Sequence, residues 1–232
     1  MVVLDEAERQ FGPSAAVELE RARYARAAGK NDLAVAAEKR AANLPARRPW
    51  ERVLVGRSYL AAGESAKAAA VLTEAAAETP QSLWAQHYLG TSLLKLHRPV
   101  EAAAAFSACT ALAPGAVWCF HNRGLAYLAA EKPEAARADF EKCLELDPGF
   151  AAGYLGLAAV LTAAGRYAEA QTALTRAAEA GAAPAEVNYR RAVVYLKAND
   201  HVAAKAALEK CLASAPDHAD ARQLLDQAKA KK

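Results

Sequence analysis

The sequence is poor in the residues and patterns that usually mark a chemical site. Its 232 residues include one methionine, three tryptophans and four cysteines. Cys109, Cys119, Cys143 and Cys211 form no C-x-x-C pair and have no zinc-ligand spacing. No glycine-rich loop of the phosphate-cradling kind is present, so neither metal nor cofactor is expected. A surplus of charge is missing too. The 29 basic and 26 acidic residues leave a net charge of +3, too even for a dedicated nucleic-acid binder. The longest uncharged stretch, from Pro148 to Gly165, is only at the lower edge of the length that spans a membrane. It contains four glycines and a proline, and no span is expected there. The opening "MVVLDEAERQFG" is acidic early and has no apolar run, so no secretory signal is expected. Cytoplasmic placement with reduced thiols follows as the expectation.

What is present is alanine and leucine. Hydrophobic residues make up 54% of the chain, dominated by these two strong helix formers, which points to an all-α fold. The residues also recur. "WERVLVGRSYL" begins at Trp50, "WAQHYLGTSLL" at Trp84 and "WCFHNRGLAYL" at Trp118, a constant period of 34. The same step relates Gly56, Gly90 and Gly124, and also Ala68, Ala102, Ala136, Ala170 and Ala204. Pro80, Pro114 and Pro148 keep it, and Pro216 follows after a double step. A fixed period of this length is the signature of a repeat architecture. Within one unit, Gln86, Leu89, Gly90 and Leu93 lie on one helical face, and Ala102, Phe106 and Cys109 on a second. Pro99 starts the second helix and Pro114 closes the unit.

On these residues the chain resembles the tetratricopeptide repeat family. Phe120, Arg123, Gly124, Tyr127, Ala136, Phe140 and Pro148 approach the family pattern closely, and Arg52, Val55, Gly56, Tyr59, Ala68, Leu72 and Pro80 repeat it. Two further units start near Tyr154 and Asn188. Ala182 stands where a closing proline is expected, with Pro184 two residues on. The resemblance implies a right-handed α-solenoid of stacked helix-turn-helix units. Five units are expected at 49–82, 83–116, 117–150, 151–184 and 185–218. Residues 1–48 are read as a degenerate first repeat or cap, with a short helix at "LDEAERQF", and residues 219–232 as a C-terminal capping helix. About thirteen helices are expected over residues 14–230.

The columns assign roles. Ala75, Cys109, Cys143, Ala177 and Cys211 share one column, so the thiols there act as small apolar side chains. Trp84, His87 and Thr91 form a stripe beside the core face. Trp118, His121 and Leu125 occupy the same stripe one unit later, and Trp50 and Arg57 one unit earlier. The resemblance implies that such first-helix stripes line a concave groove. Trp50, Arg57, Trp84, His87, Thr91, Trp118, His121, Asn122 and Leu125 are therefore the candidate partner-binding residues. The alternative is that the indoles pack sideways between repeats. His87 and His121 are too few to hold a structural metal, and no nucleophile–base–acid set can be assembled, so no enzyme activity is expected. Some family members clamp the C-terminal carboxylate of heat-shock chaperones with lysine, asparagine and arginine. Asn122 matches one element, but His87, Ala152 and Gly156 occupy the others, which disfavours that role. The leading reading is a scaffold that binds an extended peptide or helix of a protein partner. A regulatory segment of a larger enzyme, such as a kinase or glycosyltransferase, and a self-assembling homo-oligomer are the alternatives.

Overall fold

The computed structural model describes residues 2–44, 46 and 48–230. Pro45 of the first helix-pair stretch and Lys231 and Lys232 of the C-terminal segment lie outside the described residues. Among the described residues there are fourteen helices and no strand. The chain divides into two compact units, Met1–Pro114 and Gly115–Lys232. The first unit holds α1 (Val2–Phe11), α2 (Ala15–Ala27), α3 (Asn31–Ala42), α4 (Pro49–Ala61), α5 (Ser65–Glu78), α6 (Leu83–Lys95) and α7 (Pro99–Leu112). The second holds α8 (Val117–Ala129), α9 (Pro133–Leu146), α10 (Ala151–Ala163), α11 (Tyr167–Glu179), α12 (Pro184–Lys197), α13 (His201–Ser214) and α14 (Ala219–Ala230). The α1 helix covers the short N-terminal helix expected, and α2 to α14 are the thirteen that follow. Consecutive helices pack as pairs, α2 with α3, α4 with α5, α6 with α7, α8 with α9, α10 with α11 and α12 with α13. This is the all-α, stacked-pair solenoid class that the repeats imply.

Each pair turns through the same device. The residue that ends the first helix takes a left-handed conformation at Gly29, Gly63, His97, Glu131, Gly165 and Asn199, which keep the sequence period. The next backbone N–H then reaches back to a carbonyl of the last helical turn, as Arg98 does to Leu93 (2.9 Å) and Lys132 to Tyr127 (2.8 Å). Proline opens α4, α7, α9 and α12, where its missing N–H costs nothing. Ser14, Ser82 and Asp200 cap α2, α6 and α13 by accepting from the N–H three residues on.

From α4 on, the core of each pair is one large residue of the second helix pressed onto a small one of the first. A Cβ added at Gly56 would come within 2.4 Å of Leu72, at Gly90 within 2.8 Å of Phe106, and at Gly124 within 2.9 Å of Phe140. Only glycine lets those helices meet this closely. Ala68, Ala102, Ala136, Ala170 and Ala204 are wholly buried. The small columns continue into the first pair at Ala22 and Ala34, which cluster with Ala37. The large-residue column does not continue, since Glu38 stands in it. The first pair is instead held by charge. Buried Glu18 binds Arg21 (3.1 Å) and Arg40 (2.8 Å), and Arg21 also binds Asp5 and Glu8 of α1.

Candidate functional site

In the first unit the first helices α2, α4 and α6 are neighbours. Trp50 and Trp84 occupy the same repeat position on α4 and α6 and are 48% and 52% exposed. Large aromatic residues are usually much better covered, so these indoles are surface rather than core. Trp84 lies stacked on Tyr88, with ring centroids 5.8 Å apart, and edge-on to His87 at 5.9 Å. His87 is half-buried, 6.1 Å from the Phe106 ring. Burial holds its imidazole below the ordinary histidine range. Thr91 donates its hydroxyl to the His87 carbonyl (2.9 Å), so its polar group is already engaged. Arg57 pairs with Glu20 of α2, and Glu20 also pairs with Arg23 (2.7 Å). The Arg23 guanidinium lies 4.6 Å from the centre of the exposed Tyr24 ring. The face thus combines two open indoles with a cation-rich ion cluster.

In the second unit the equivalent tryptophan on α8 is better covered. Trp118, His121 and Asn122 are half-buried, and Leu125 is 38% exposed. His121 meets the Phe150 ring edge-on at 5.4 Å and lies 6.0 Å from Phe140. Its imidazole is lowered by burial above all, and further by the positive charge of Arg190, against a hydrogen bond with Asn122. Arg190 itself is paired with Glu186 on α12.

The nine expected positions therefore fall on first helices in both units. Sequence reasoning missed Glu20, Arg23, Tyr88 and Arg190, although the signal was available. Glu20, Tyr88, Asn122 and Arg190 share one column, and Arg23, Arg57, Thr91 and Leu125 another. Arg23 lies one repeat period before Arg57, inside the segment read as degenerate.

All four cysteines are buried, and none is in a disulfide. Cys109 and Cys143 each donate weakly to the carbonyl that opens their own pair, at Leu83 (3.7 Å) and Val117 (3.4 Å). Burial pushes the Cys143 thiol up to about 12. Among the described residues no group of three or more His, Cys, Asp or Glu is placed to hold a metal, and no helix is long and apolar enough to cross a membrane.

Family profiles described as tetratricopeptide repeat match residues 55–117, 127–192 and 185–218. No curated protein is significantly similar in sequence. Among solved structures, TTC0263, a thermophilic repeat protein of the same kind from Thermus thermophilus, is 22% identical. It aligns over 78% of this chain and 99% of its own with a TM-score of 0.67. A chain of the APC/C hetero-tetramer Cut9–Hcn1 aligns over 98% of this chain and 45% of its own, at 19% identity and a TM-score of 0.70. YrrB, described as having an unusual peptide-binding site, aligns over 75% and 90% at 18% identity and 0.56. Identities this low establish the fold.

Proposed function

The chain belongs to the tetratricopeptide repeat family, and from that premise we propose that it is a non-catalytic interaction module. It takes an extended segment or a helix of a protein partner onto the exposed faces of its first helices. The five repeats over residues 49–218 form the working part, flanked by the N-terminal pair and the C-terminal helix.

One observation carries this reading. Trp50 and Trp84 recur at one repeat position on neighbouring helices and remain half exposed. Rigid aromatic side chains that present area at little entropic cost are the usual anchors of a protein interface. The Arg57–Glu20–Arg23 cluster beside them adds a polar rim of the kind that orients a partner. The description of YrrB as a peptide binder supports the same class of ligand here.

The test is affinity capture with the intact chain and with a Trp50→Ala, Trp84→Ala double variant, followed by titration of the segment recovered. The variant is expected to lose about 2 kcal/mol or more of binding, the scale of an aromatic hot spot, while its melting temperature barely moves. Equal capture by both proteins removes the anchor from these indoles and the reading with it.

A further inference from the structure

Within the first unit, the open faces of the first helices sort by chemistry along their length. On each helix one stripe runs i, i+4, i+7, i+11. On α6 it holds Trp84, Tyr88, Thr91 and Lys95, on α4 Trp50, Leu54, Arg57 and Ala61, and on α2 Ala16, Glu20, Arg23 and Ala27. These are the same four repeat columns, and α4 has α2 and α6 as neighbours. Towards the helix N-termini the face carries the two half-open indoles, with Leu54 and Tyr88 half-buried beside them. Towards the C-termini it carries Arg23, Arg57 and Lys95. Seven residues of helix separate Trp50 from Arg57, a rise of about 10 Å.

The positive charge there is not balanced within the chain. Glu20 is the one carboxylate in the three stripes. Two guanidiniums share it, those of Arg23 (2.7 Å) and Arg57. One carboxylate cannot use all the donors of two guanidiniums, each of which carries five N–H bonds. The Arg23 and Arg57 side chains also keep 57% and 38% of their surface open. Lys95 is exposed and has no ion-pair partner among the described residues. Three cations against one carboxylate leave this face with a surplus of two positive charges. The fold does not impose that surplus. In the second unit the column of Arg23 and Arg57 holds Leu125, Ala159 and Val193.

Resting on the indole anchor proposed above, we propose that the partner segment is acidic as well as apolar. Large apolar side chains lie on Trp50 and Trp84, and Asp or Glu side chains about 10 Å further on enter the row of Arg23, Arg57 and Lys95. In an extended chain that distance is about three residues. Opposite charge beside an apolar anchor selects the partner and speeds its encounter. Aromatic and basic groups together also suit single-stranded nucleic acid. Such a ligand follows a continuous basic track, however, and here Leu54 and Glu20 stand in the row next to the indoles.

The test titrates the intact chain with two end-blocked peptides, GFLSSDEDG and GFLSSNQNG, which differ only in charge. The readout is the indole N–H resonances of Trp50 and Trp84. The acidic peptide is expected to shift both to saturation by about 1 mM and, in low salt, to bind about tenfold more tightly than the neutral one. At about 0.5 M salt the difference should narrow to about twofold or less. A triple variant, Arg23→Gln, Arg57→Gln, Lys95→Gln, is expected to erase the preference and leave the neutral peptide unchanged. Trp50→Ala, Trp84→Ala is expected to weaken both peptides. Equal affinity for the two peptides, an undiminished preference in the triple variant, or tighter binding of an oligothymidylate overturns the proposal and leaves the indole anchor standing. A preference for the acidic peptide that survives loss of both indoles, or no indole shift with either peptide, overturns the anchor and the proposal together.

Discussion

Cys143 illustrates how a residue that looks reactive becomes structural. It sits at 0% exposure in a column that alanine fills at Ala75 and Ala177. Cys143→Ala should therefore cost about 1 kcal/mol or less, and Cys143→Leu about 1–3 kcal/mol through overpacking. Urea denaturation of both variants checks this. With the thiol pushed up to about 12, the folded protein should also resist alkylation at this site near neutral pH. His87 and His121 make the second residue-scale prediction. Burial lowers both imidazoles below the ordinary value of 6.5. The unfolded chain then binds their protons first. Their contribution to stability is complete above the unfolded value and is lost as pH falls through it towards the folded values. The urea midpoint should fall between about pH 7.5 and pH 5, and the fall should be smaller in a His87→Gln, His121→Gln double variant. An equal fall in that variant assigns the effect to other groups. The same lowering moves any imidazole-dependent binding to more acidic pH than free histidine would give.

At the scale of the helix pair, the turn is the recurring unit. Its left-handed position holds glycine at Gly29, Gly63 and Gly165 but not at His97, Glu131 or Asn199, whose φ values are 56°, 56° and 60°. A side chain there pays a steric cost that glycine avoids. His97→Gly and Glu131→Gly should each stabilise by about 0.5–1 kcal/mol, and Asn199→Gly by less, because asparagine tolerates this conformation. Thermal melts of the three variants check the order. A lower melting point for all three would mean that the side chains contribute more than the turn costs.

At the scale of the whole molecule, repeats couple chiefly to their neighbours, and the weakest neighbour opens first. The first pair has a small alanine cluster, an ion-paired Glu18 and an open cleft where other pairs have a buried Leu or Phe. Burying such a side chain contributes about 1.5–3 kcal/mol. Amide hydrogen exchange should therefore be faster in α3 than in α5, and Glu38→Phe should narrow the difference. Equal protection of α3 and α5 would show that the ion cluster around Glu18 compensates fully for the missing apolar core.

The period of 34, the positions of the breakers and the alternation of small and large columns determined by themselves that this chain is a stack of helix pairs. The reason is local: a helix pair closes through contacts between residues near in sequence, so columns of glycine opposite Phe or Leu carry the packing with them. The stripe of Trp50 and Trp84 was legible for the same reason. What it could not carry was exposure. The same tryptophan column is half open at Trp50 and Trp84 and better covered at Trp118, because coverage depends on what neighbouring helices place above a residue. Only the tertiary structure decided that. It also decided that Glu20 joins Arg57, and that Glu38 leaves a cleft instead of a core. The first is a contact between different helix pairs, where a carboxylate meets its arginine in space and not by sequence spacing, and the second depends on how far apart two helix pairs stand.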